Sequence, residues 1–192
     1  MRGRNKLILL MVGVVCLTIF MTAYAQDFRQ TSWGMSKDEV KAVESAEPDY
    51  ESEDGLGYNV AIDGKNFLCI YAFIEDKLYQ AGYHYVDTHV NDNNYIVNFE
   101  ELKEILIQKY GKPKVDEIIW KNDLFKDDMQ HWGMAICMGH LEYYTSWENE
   151  STRTLIKLYG DNYEISMIIG YYSKQLEDWA NNIQNKQALQ NF

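Results

Sequence analysis

Two short stretches carry side chains that could hold a metal ion. HYVDTH places His84, Asp87 and His89 within six residues, and HWGMAICMGH supplies His131, Cys137 and His140. If the first stretch is a strand, alternation puts Asp87 and His89 on one side and turns His84 away, leaving a compact site without its third ligand. The second spacing matches no recognised zinc pattern, so neither stretch predicts a metal centre. The catalytic patterns are equally thin. No GxSxG elbow is present, Cys69 sits in an apolar run with no cationic neighbour to activate it, and DGLG at 54–57 is a turn signal with no helix behind it. Asp127 and Asp128 could serve as the acid pair of a hydrolase, but a charge run is ordinarily a solvated face. The residues therefore predict no catalytic, cofactor-binding or metal-binding set.

Aromatic side chains are the compositional oddity, at 14% of the chain. At strand spacing Tyr79, Tyr83 and Tyr85 share one face, and Tyr143 and Trp147 share one face of another strand. Such rings either form core and cross-strand pairs or, where the face is left uncovered, a binding surface. These five residues are the candidate binding face.

The chain opens with Arg2, Arg4 and Lys6, runs through apolar residues from Leu7 to Phe20 and reaches AYA at 23–25. That is the pattern of a secretory signal peptide, residues 1–25, with an uncleaved N-terminal anchor as the alternative. A single domain of 167 residues would remain, and the loss of three cations takes the net charge from -11 to -14. Such a chain repels phosphate backbones, which argues against nucleic acid, and has no further segment for stable membrane insertion. Cys69 and Cys137 would be its only thiols, a candidate disulfide in an oxidising compartment, worth about 4 kcal/mol through the long loop it closes. The other reading is two buried apolar thiols.

These side chains need elements to position them. MSKDEV at 35–40 reads as a capping box, with Ser36 as cap, Glu39 as its partner, and Met35 and Val40 as the staple. VNFEEL at 97–102 repeats the roles with Asn98, Glu101, Val97 and Leu102. The first helix is short, with Val40 and Val43 inward, and ends before Pro48. The second buries Leu102, Ile105, Leu106 and Tyr110 and stops at Gly111, ahead of Pro113. NFLCIYAF turns into YQAGYHYV through EDKL, and TRTLIKLY into YEISMIIGYY through GDN, each with an Asp at the turn. Weaker strands precede both hairpins, near 57–62 and 139–147. A further strand spans 115–120 before a surface excursion, and a C-terminal helix at 174–187, capped by Ser173, buries Leu176, Trp179, Ala180 and Ile183. The expected fold is α+β, residues 26–192. Two tandem helix-plus-antiparallel-meander units, about 27–96 and 97–172, form one sheet layered with helices.

The segment FRQTSWGMSKDEVKAVE, residues 28–44, resembles the N-terminal signature of exported bacterial proteins of unknown function, in which an aromatic is followed by WGMS and an acidic helix. Its GMSKDEV core is also similar to the motif of small outer-membrane assembly lipoproteins of the SmpA type and of the beta-lactamase inhibitor protein. Those folds pack helices on an antiparallel sheet, and the inhibitor carries its unit in tandem. The resemblance implies a protein that acts by binding another envelope or secreted protein. The chain departs from the lipoproteins in lacking a lipobox cysteine. An envelope hydrolase using acids of the 121–130 loop, and a small-ligand carrier with a cavity between helices and sheet, are the alternatives.

Overall fold

The computed structural model describes residues 26–190. The expected signal peptide, 1–25, lies outside them. Helix α1, Lys37–Val43, starts as its capping box requires: Ser36 Oγ accepts the Glu39 N–H, and the Glu39 carboxylate accepts the Ser36 N–H at 2.8 Å. It buries Val40 fully and ends at an extended Glu44, five residues after its acidic start and well before Pro48.

The eight strands are β1 (Tyr50–Glu51), β2 (Gly55–Ile62), β3 (Lys65–Ile74), β4 (Lys77–Tyr85), β5 (Val115–Trp120), β6 (Leu141–Glu148), β7 (Thr152–Asp161) and β8 (Glu164–Ser173). Seven lie where the sequence predicts them, and β1 is an addition at the sheet edge. All neighbours are antiparallel, in the order β1-β2-β3-β4-β8-β7-β6-β5, so one meander runs inward to β4, the other to β8, and the two meet at that central pair. Three hairpins turn on two residues of positive φ, at Asp63–Gly64, Glu75–Asp76 and Asn162–Tyr163. This geometry matches the twist of the flanking strands. In the last of them Asp161 is still in the strand, opposite Glu164, so the turn residues are Asn162 and Tyr163 and not the expected Asp.

Helix α2, Asn93–Tyr110, corrects the second capping box. It begins after Asp92, five residues before Asn98, and Asn98 lies in its second turn, where its amide donates to the Tyr85 hydroxyl. The earlier start makes Tyr95, Phe99, Leu102 and Leu106 the buried stripe and leaves Ile105 39% exposed. Asn at 98 and Glu at 101 imitate a cap, but the aromatics at 95 and 99 extend the apolar stripe toward the N-terminus, and burying two rings outweighs one capping bond. The helix ends at Gly111 with φ +78°, as the sequence predicts.

A short 3-10 turn, Met129–His131, leads into helix α3, Trp132–Cys137. Two glycines seat it. A Cβ on Gly133 would come within 2.4 Å of the Asp92 backbone, and one on Gly160 of β7 within 1.8 Å of the Ile136 carbonyl. Helices α1, α2 and α3 cover one face of the sheet. The core there is Phe28 and Val40 against Tyr58, Phe67, Tyr71 and Tyr171, and Phe99 and Ile136 against Tyr143, Ile156 and Leu158. Helix α4, Glu177–Gln190, follows a Ser173 hydroxyl that accepts the Leu176 N–H at 3.2 Å. It buries Ala180, and its Glu177 pairs with Arg153 on the opposite face of the sheet. Among the described residues no helix is long and apolar enough to cross a membrane.

Candidate binding surface

The five aromatics predicted to form a binding face do not form one. Tyr83 and Tyr85 point to the helix-covered side, where the Phe28 ring lies 5.1 Å from Tyr83 and the Tyr95 ring 6.1 Å from Tyr85. Tyr143 packs on Phe99 at 5.3 Å. Trp147 packs on Tyr110 and donates its indole N–H to the Gly111 carbonyl at 2.8 Å. Tyr85, Tyr143 and Trp147 are all buried. Tyr79 leaves the set for a different reason. The register slips between Ala72 and Phe73, so Ala72 faces Gln80 while Phe73 faces Leu78, and Tyr79 is the extra residue of a bulge. Its hydroxyl accepts from the Gln184 amide of α4 at 3.2 Å.

The predicted disulfide is absent as well. Cys69 and Cys137 are both free thiols. Cys69 is fully buried in β3, in the first meander, and burial pushes its thiol up to about 12. Cys137 ends α3, which packs on β6, β7 and β8, and donates to the Tyr163 carbonyl at 3.1 Å. The metal-capable stretches separate similarly. His84 faces away from the helices, Asp87 accepts both N–H groups of Asn66, and His89 bonds Tyr85 and Asn98. His131 pairs with Asp128 at 2.7 Å, and no group of three or more ligand-type residues converges among the described residues. In the 121–130 loop Asp123 pairs with Lys126 and Asp128 with His131.

A part-buried polar cluster that the sequence pattern did not signal is built around the N-terminal segment. Arg29, at φ +51°, reaches Glu44 at 2.9 Å, and the Tyr71 hydroxyl donates to the same carboxylate. Burial raises the Tyr71 phenol well above its usual range. The segment also joins the two meanders. Asp27 accepts from the Ser151 hydroxyl at 2.6 Å and from the Trp33 N–H at 3.0 Å, while the Trp33 indole donates to Thr152 at 2.8 Å.

The face left uncovered by α1, α2 and α3 is the candidate surface. At the β4–β8 seam Gly82 pairs with Gly170, and the two form the floor of a small apolar trough of about 110 Å³, walled by Ile70, Ala72, His84, Ile168 and Tyr172. The Tyr172 ring lies over Gly170, where a Cβ would come within 2.6 Å of it. It is stacked in turn by the Arg153 guanidinium, 4.9 Å away. Toward the sheet edge Tyr50, Leu68 and Ile70 line a second hollow of about 220 Å³ above Gly55 and Gly57. Tyr50 is 61% exposed, an apolar ring with no cover on its outer side. His84 also lines a larger cleft, about 520 Å³, between the end of β4, the start of α2 and the β7–β8 turn.

No protein-family model matches the chain, no curated protein matches it, and no solved structure matches it. The site therefore rests on its own geometry.

Proposed function

We propose that the chain is an exported, non-enzymatic binding protein that holds another envelope or secreted protein against the part of the outer sheet face that α4 leaves open. The observation that carries this reading is the trough at the seam. Ile70, Ile168 and Tyr172 stand around a glycine floor, with Tyr50 and Leu68 extending the apolar surface toward β1. Apolar patches with a recessed centre and a polar rim are where protein partners anchor. The leader-like residues 1–25 support the export half of the proposal.

The same reading includes the duplication. Two units, each a helix followed by a four-strand meander, would meet strand to strand at β4 and β8, with the second unit starting at Asn93 and not at 97. A seam between duplicated units is a natural place for a binding trough, because both contribute a wall to it.

The test places a photo-crosslinking residue at position 70 in the chain expressed from its own leader, and repeats the capture with Ile168→Glu. Crosslinks to one protein that vanish with Ile168→Glu are expected. Identical crosslinks in both, or none at position 70, overturn the reading.

A further inference from the structure

The larger cleft differs in chemistry from the trough it adjoins. Tyr85, Tyr95 and Tyr163 line it, the first two buried and the third exposed, and two of its acidic residues, Asp92 and Glu164, have no ion-pair partner among the described residues. Asp87, the third, is occupied by Asn66. Among the described residues His84 is the only basic one lining the space, and the neighbouring Lys65 is paired with Glu101 at 2.8 Å. Tyr163 is 76% exposed and sits in the hairpin turn, at φ +64°, next to Glu164 in sequence. Carboxylates beside aromatic faces are the combination that receives an organic cation, the ring quadrupole and the full charges acting on the same ion. The chain's net charge of -11 adds a long-range field of the same sign.

We infer that this cleft receives a cationic side chain, Arg or Lys, presented by the protein that covers the trough. The inference rests on the proposed function, since His84 lines both spaces and sets the cleft beside the trough. The trough takes the apolar part of the partner and the cleft its charge. About 520 Å³ is ample for one guanidinium and its aliphatic stem, with water remaining at the rim.

The experiment titrates the chain from Gln26 onward with N-acetyl-arginine amide and, separately, with its uncharged counterpart N-acetyl-norleucine amide, following backbone amide resonances. The arginine compound should bind with a Kd on the order of 1 mM and shift the signals of residues 92, 95, 163 and 164. The norleucine compound should not. Asp92→Asn combined with Glu164→Gln should weaken arginine binding by about tenfold, as expected for lost charge-assisted hydrogen bonds. Tyr163→Asn keeps a residue tolerant of the turn and removes the ring, and should weaken it by a smaller factor. Equal binding of both compounds, shifts confined elsewhere, or unchanged affinity in the double variant overturns the inference. Ile70→Glu should abolish partner capture while leaving the arginine titration intact. That outcome separates failure of the trough from failure of the cleft.

Discussion

Gly82 and Gly170 face each other across the central strand pair, and the first of them has no room for a side chain: a Cβ on Gly82 would sit 2.4 Å from the Ile169 carbonyl oxygen. The close approach belongs to backbone, which cannot swing aside as a side-chain tip would. Gly82→Ala should therefore destabilise the fold by about 1–3 kcal/mol through overpacking. Thermal denaturation should register it as a melting point lower by roughly 3–10 °C. A variant that melts with the wild type would show that the seam yields.

Phe28 ties the N-terminal segment to rings from both meanders, with Tyr71 at 5.4 Å and Tyr171 at 4.8 Å. It is 3% exposed. Phe28→Ala should cost about 3–5 kcal/mol, the range for deleting a fully buried ring. Asp27→Ala, which frees the Ser151 hydroxyl and the Trp33 N–H, should cost less, about 1–2 kcal/mol. Urea unfolding of both variants measures the order, and the reverse order would contradict the packing described.

The two thiols should differ sharply toward an alkylating reagent. Cys69 is fully buried and its thiol is held up at about 12, so it carries almost no thiolate near neutral pH. Cys137, although burial also raises its thiol, is partly exposed. Peptide mass mapping of the folded chain from Gln26 should find Cys137 modified first and Cys69 only after denaturation. Protection of both, released by a reductant, would reveal a bridge.

Acid should remove one identifiable contribution to stability. Burial alone would raise the Glu142 carboxyl, but hydrogen bonds from Lys121 and Lys157 outweigh it and hold the group below its ordinary value of 4.5. A carboxyl depressed in the folded state stabilises above its unfolded value, and that contribution is lost as pH falls through the folded one. The wild type should exceed Glu142→Gln in urea midpoint at pH 6, and the gap should close on acidification below the usual Glu range. A gap independent of pH would assign the effect to packing.

Much of the architecture was readable because it depends on local chemistry. The Ser36–Glu39 box, the stop at Gly111, the β5 span at 115–120 and the hairpin after Ile74 each follow from capping, left-handed turn residues or period-two alternation within a few positions. The misreadings have a common cause in tertiary packing. Alternation correctly grouped Tyr83 with Tyr85 and Tyr143 with Trp147, but periodicity cannot say which side the helices choose. They chose the aromatic one. Tyr79 was misplaced because a bulge is a register event involving a partner strand, invisible in β4 alone. The trough escaped notice for a related reason: it is defined by two missing side chains, at Gly82 and Gly170, brought together from positions 88 residues apart.

The bond from Ser151 to Asp27 spans 124 residues. During synthesis the segment at 27–33 meets part of its seat, the Phe28 contacts with Tyr71 and Tyr83, once the first meander exists, but its bonds to the turn at 149–152 must wait for the second. Closure of so long a loop is slow relative to local pairing. The closure between residues 27–33 and the 149–152 turn is thus among the last contacts to form. Until it does, Phe28 and Tyr171 lack each other as cover, and a chaperone that recognises exposed aromatic rings has its interval to act.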